Sequence, residues 1–179
     1  MTRNGIDVEQ LDTYIELLRA NPQVGALTGR NGHHWADGYT INWRADELSV
    51  AGQPITRDHS LSIDMPKELG GEDSGPTPGE LLCAALGACV AQQFVEHAAR
   101  RGVDIDHVEV ACTADGDLRG MFEIGDARPG FAGLSVSLGV RADADDAVLD
   151  ELLQAAVRTS PIADSVANPV PVHPELQRR

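Results

Sequence analysis

The chain reads as an α+β protein with mostly antiparallel sheets. Three observations carry this. One long segment is apolar at helical spacing and starts with a capping pattern. Two segments after it alternate apolar and polar residues like strands. Turn clusters divide the stretch before it into a meander.

The elements follow in order. Between positions 6 and 19, Ile6, Val8, Leu11, Ile15 and Leu18 recur every three or four residues, as in an amphipathic helix. Asn21-Pro22 ends it, since proline cannot continue the hydrogen-bond ladder. From Leu27 to Asp64 the pattern is strands with turns at Gly29-Arg30-Asn31-Gly32 and Ala51-Gly52-Gln53-Pro54. Positions 66–79, PKELGGEDSGPTPG, form a long loop without periodicity.

The central helix follows. Thr77, Pro78 and Glu80 fit a capping box with proline at its first position. LLCAALGACVAQQFVEHAAR then runs to Arg100, Arg101 and Gly102, which suit a helix end. Residues 81–91 carry no charge, so this half is expected to be buried on every side. One chain has too little else to cover it, which calls for a homodimer that packs two such helices together.

Val108, Val110 and Cys112 mark a strand between 103 and 118, and Leu134, Val136, Leu138 and Val140 mark another. Asp143 or Asp145 opens a helix with Val148, Leu149, Leu152, Leu153, Ala156 and Val157 as its stripe. Ser160-Pro161 breaks it, a short helix over PIADSV follows, and Val170-Pro171-Val172 is expected to be an edge strand.

Composition narrows the function. The 179 residues suit one compact domain, here 25–179, preceded by a helical extension over 1–24. The net charge of -14 disfavours nucleic acid and anionic membrane as partners. No uninterrupted apolar run reaches the roughly 18 residues of a membrane span. The first residues lack a secretory pattern, so the expected compartment is the cytoplasm. Three cysteines, Cys83, Cys89 and Cys112, with no CxxC, do not form a disulfide framework. His33 and His34 are adjacent on a strand and point apart, a poor start for a metal site, and no phosphate-binding fingerprint occurs. No cofactor is expected.

Asp64-Met65-Pro66, GGEDSGPTPGELLCAALGACVA, GDLRG at 116–120, RPGF at 128–131 and SPIADSV with NPVPV near the end are similar to the signature of the OsmC / organic hydroperoxide resistance family. The resemblance covers about residues 25–172. It implies an intertwined homodimer in which two long central helices are clasped by antiparallel sheets. It also implies a thiol-dependent hydroperoxide reductase acting in oxidative stress defence. Cys89 matches the attacking cysteine of the family. Ser160 stands where the resolving cysteine would be, so an external thiol reductant is implied, in a one-cysteine cycle. Arg30, with Arg44 behind it, matches the activating arginine, and Glu80 the carboxylate, although hydroperoxide-reducing members place theirs at the position of Gly79.

The residues can be weighed alongside. A peroxidatic thiol must ionise. Cys89 lies roughly 16 Å from the helix start, beyond useful reach of the dipole. Burial opposes ionisation. A guanidinium aimed by a carboxylate is the remedy, hence Arg30 and Glu80. Glu80 is equally a capping-box residue and Arg30 a solvated turn residue. Leu82, Leu86, Gln92 and Gln93 share a face with Cys89, an apolar setting suited to an alkyl hydroperoxide. Cys83 points about 120° from Cys89 and reads as core. Cys112 could approach the helix. Asp117 and Arg119 read as a structural ion pair, and Ser160 as an N-cap. The alternative function is a non-catalytic dimer that binds a small apolar ligand or partner, with Cys89 as a pocket wall.

Overall fold

The computed structural model describes residues 1–178. The chain forms two compact units, Met1–Leu82 and a second that begins at Cys83.

In the first unit, β1 (Thr2–Arg3) and β2 (Ile6–Asp7) form a small antiparallel pair. Asp7 then caps α1 (Val8–Ala20), accepting the Gln10 amide at 3.2 Å. Asn21 ends α1, as the following proline requires. A sheet follows, of β3 (Leu27–Asp37), β4 (Thr40–Val50), β5 (Gln53–Ile55) and β6 (Ser60–Ile63), in which β4 pairs with the other three, all antiparallel. Ala51 and Gly52, both at positive φ (52° and 75°), make the two-residue turn between β4 and β5.

The expected turn at Gly29–Gly32 is not one. These residues lie inside β3, with a bulge between Arg30 and Asn31. Pairing with β4 along the whole strand outweighs the local turn preference, and the bulge absorbs the irregularity.

The loop after β6 is ordered by one carboxylate. Asp64 is 1% exposed. Its Oδ1 accepts the Met65 amide at 2.8 Å. Its Oδ2 accepts the amides of Glu72 (3.2 Å) and Ser74 (3.1 Å) and the hydroxyls of Ser74 (2.9 Å) and Thr40 (3.3 Å). Burial alone would raise this carboxyl, but the hydrogen bonds from Ser74, Met65 and Glu72 override it and hold it below the ordinary value. The loop folds back so closely on β6 that a Cβ at Gly75 would strike the Ser62 carbonyl.

α2 (Pro78–Arg100) starts in the first unit and continues through the second. Its length and composition alone would let it cross a membrane. Here it is the core helix. Leu86, Val90, Phe94 and Ala98, a row at four-residue spacing, are buried with Leu152 and Ala156 of α4 (Asp146–Thr159). β7 (Ile105–Asp115) and β8 (Gly133–Ala142), one antiparallel pair, add Val108, Cys112, Leu134, Val136, Leu138 and Val140 to this core.

Three expectations change here. α2 is not buried all round, because Ala84, Ala85 and Ala88 are exposed; one chain covers only one stripe of it. On α4, Ala155 is buried and Val157 is 42% exposed, so the stripe is centred on Leu152 and Ala156. Val170-Pro171-Val172 is not a strand. No ladder forms there, and Val170 and Val172 are exposed.

α3 (Leu118–Met121) is a single turn capped by Asp117, which also pairs with Arg119 as expected. Asp145 is the N-cap residue of α4. α5 (Pro161–Ala167) follows α4 directly.

Candidate functional site

Cys89 lies on α2 as a free, half-buried thiol. Leu86 and Val90 beside it enter the core, and Ala88 is exposed, so Cys89 sits at the flank of the buried stripe. Of the side chains expected on its face, Leu86 is core and Gln92 is exposed. The helix therefore presents Cys89 at a border between packed and open surface.

Glu80 forms the predicted capping box. Its Oε2 accepts the Thr77 amide at 2.7 Å and the Thr77 hydroxyl at 2.8 Å, while its own amide donates to Thr77 Oγ1 at 3.2 Å. The Thr77 amide, then the Thr77 hydroxyl, hold the carboxyl below its ordinary value. Glu80 is thus a carboxylate with one oxygen engaged at the helix start.

Arg30 stands on β3 with its side chain 73% exposed, its Nε 3.5 Å from Asp46 Oδ2. Arg44 Nη2 reaches Asp46 Oδ1 at 3.3 Å. The two candidate arginines therefore share one carboxylate. The bulge at Arg30 and the β3–β4 register bring them together, a pairing that the sequence spacing of 30, 44 and 46 conceals.

Ser160, 1% exposed, is the N-cap of α5, its Oγ accepting the Ala163 amide at 3.1 Å. Next to it, Thr159 gives its hydroxyl hydrogen to the Ala155 carbonyl (2.9 Å) and lies 2.9 Å from His97 Nε2. Thr159 is left as the acceptor, so His97 carries its proton on Nε2.

The sequence reading missed one arrangement. Cys83 and Cys112 line one cavity of about 270 Å³ with Ala84, Gly87, Ala88 and Val110. The thiol of Cys112 is pushed above its ordinary value by burial, and further by the Cys83 thiol beside it. Cys112 thus does approach the helix, at Cys83. The available signal was Gly87, one turn after Cys83 on the same side of α2. A Cβ there would lie 3.3 Å from Val110 Cγ1 and 3.7 Å from Cys112 Cβ, so the missing side chain lets β7 close on this row.

A family model described as OsmC-like protein matches residues 71–175. No curated protein sequence matches the chain. Among solved structures, an OsmC-like protein from Mycoplasma pneumoniae is similar with a TM-score of 0.64 at 12% identity, over 79% of this chain and 89% of that one. An osmotic stress induced and detoxification response protein from Psychrobacter arcticus gives 0.59 at 15%, over 82% and 90%. An organic hydroperoxide resistance protein from Legionella pneumophila gives 0.53 at 20%, over 78% and 88%. These likenesses concern the fold.

Proposed function

Because this chain belongs to the OsmC-like family, whose model spans residues 71–175, we propose that it is a thiol-dependent reductase of organic hydroperoxides in oxidative stress defence, with Cys89 as its nucleophile. The observation that carries the reading is the free, half-buried Cys89 at the flank of the core stripe of α2, inside the matched segment.

The chemistry balances with one cysteine. The Cys89 thiolate attacks one peroxide oxygen, an S–O bond forms, the O–O bond breaks, and the alcohol leaves with a proton. An external thiol displaces water from the sulfenic acid and forms a mixed disulfide. A second thiol releases Cys89 and carries the disulfide away. Arg30 is assigned the guanidinium that stabilises the thiolate. Glu80 is assigned the carboxylate that orients it, through the oxygen its cap does not use. Ser160 supplies no second thiol. The chain acts as a cytoplasmic homodimer in which two α2 helices meet, an arrangement that would cover the exposed Ala84, Ala85 and Ala88.

The test is to treat purified protein with cumene hydroperoxide and trap Cys89 sulfenic acid with dimedone, read by mass spectrometry. Arg30→Ala should slow the trapping at least about tenfold, the loss of roughly 1.4 kcal/mol of transition-state stabilisation. Unmodified Cys89 at an excess of peroxide would sink the proposal.

A second reading is a non-catalytic dimer that binds a small apolar ligand. The partners of Arg30 and Glu80 favour it, since Asp46 and Thr77 already occupy them in structural roles. Under this reading, Cys89→Ser leaves both ligand binding and peroxide tolerance of the host unchanged.

A further inference from the structure

We infer that Cys83 and Cys112 form a second redox centre, a dithiol that a hydroperoxide converts to an intrachain disulfide. The two thiols come from different elements, α2 and β7, and line the same cavity. The rest of that lining is Ala84, Gly87, Ala88 and Val110, without a charged side chain. Ala84 and Ala88 are exposed, so in the single chain the cavity opens to the surface and a hydroperoxide can enter it.

Gly87 sets the geometry. A Cβ at position 87 would lie 3.7 Å from the Cys112 Cβ, so β7 packs on α2 at this row, one helical turn from Cys83. Cys83 occupies the same row one turn earlier. Burial and the Cys83 thiol raise the Cys112 thiol, and Cys83 is taken as the first nucleophile.

The step balances. Cys83 sulfur attacks the hydroperoxide, an S–O bond forms, the O–O bond breaks, and the alcohol leaves. Cys112 sulfur then attacks the Cys83 sulfenic acid, an S–S bond forms, and the oxygen departs as water with the Cys112 proton. Two thiols lose two electrons, and the hydroperoxide gains them. This gives the chain a two-thiol oxidation although Ser160 stands at the family's resolving position. It rests on the proposed function only in its choice of oxidant.

The experiment uses the full chain, pre-reduced and freed of reductant, treated with cumene hydroperoxide, alkylated and digested without reduction. The expected result is a Cys83–Cys112 linked peptide, with loss of both alkylated forms, in the wild type and in Cys89→Ser alike. Full alkylation of Cys83 and Cys112 in both proteins overturns the inference, and so does a peptide linking Cys112 to Cys89. The doubly substituted Cys83→Ser/Cys112→Ser protein, treated with cumene hydroperoxide and dimedone together, reports Cys89 separately. An unreacted Cys89 there defeats the Cys89 mechanism and leaves the disulfide result standing.

Discussion

Ser160 accepts the backbone amide of Ala163 at 3.1 Å through its Oγ, and only 1% of the residue is exposed. The Ser160 hydroxyl thus holds the start of α5. Ser160→Cys should cost about 1 kcal/mol in stability through loss of the cap. It should also give a peroxide-dependent disulfide between Cys89 and the introduced thiol. Thermal unfolding measures the first, and mass spectrometry without reduction the second. A stable variant that never forms this link would remove position 160 from any redox role.

Asp64 makes the first unit acid-sensitive. Its folded carboxyl titrates below the ordinary value of 3.8. The stabilisation is therefore complete above the unfolded value and is lost as pH falls through the folded one. Stability should fall steeply below about pH 4. Asp64→Asn should lower the melting temperature by several degrees at pH 7, because an amide places hydrogens where backbone amides already point. Its curve should also be flatter in acid. Melting temperatures from pH 7 to 2.5 for the two proteins decide this, and parallel curves would contradict it.

His97 acts at higher pH. Burial lowers its affinity for a proton, with Arg100, Arg101 and Arg158 adding to this and Glu96 opposing it. Its folded value lies below 6.5, so the neutral ring favours the fold. Its contribution is complete above pH 6.5 and is lost as pH falls through the folded value. Between pH 7.5 and 5, the wild type should lose more stability than His97→Gln. Equal losses would show that His97 does not titrate with folding.

The exposed alanines of α2 test the dimer. Ala88→Arg should weaken self-association at least about tenfold, or roughly 1.4 kcal/mol. Light scattering coupled to size exclusion should then show a dimer for the wild type and a monomer for the variant. A monomeric wild type would refute the arrangement.

The sequence by itself determined the local pieces. Thr77, Pro78 and Glu80 start α2 because a capping box needs only residues three apart, and the observed hydrogen bonds match it. Alternation marked β7 and β8 because side chains on a strand point to opposite faces in turn. Cys89 was legible as a thiol on a largely apolar helix. Tertiary structure decided what depends on distant chain. Gly29–Gly32 became strand because β4 pairs along it, and Val170–Val172 did not, because no strand edge meets it. Arg30 reaches the Asp46 that Arg44 pairs locally only through strand register. The partner of Cys112 is Cys83 rather than Cys89 because packing, through the gap at Gly87, chooses which face of α2 meets β7. Short-range hydrogen bonds and periodicity are written in neighbouring residues, whereas such meetings depend on how whole surfaces fit.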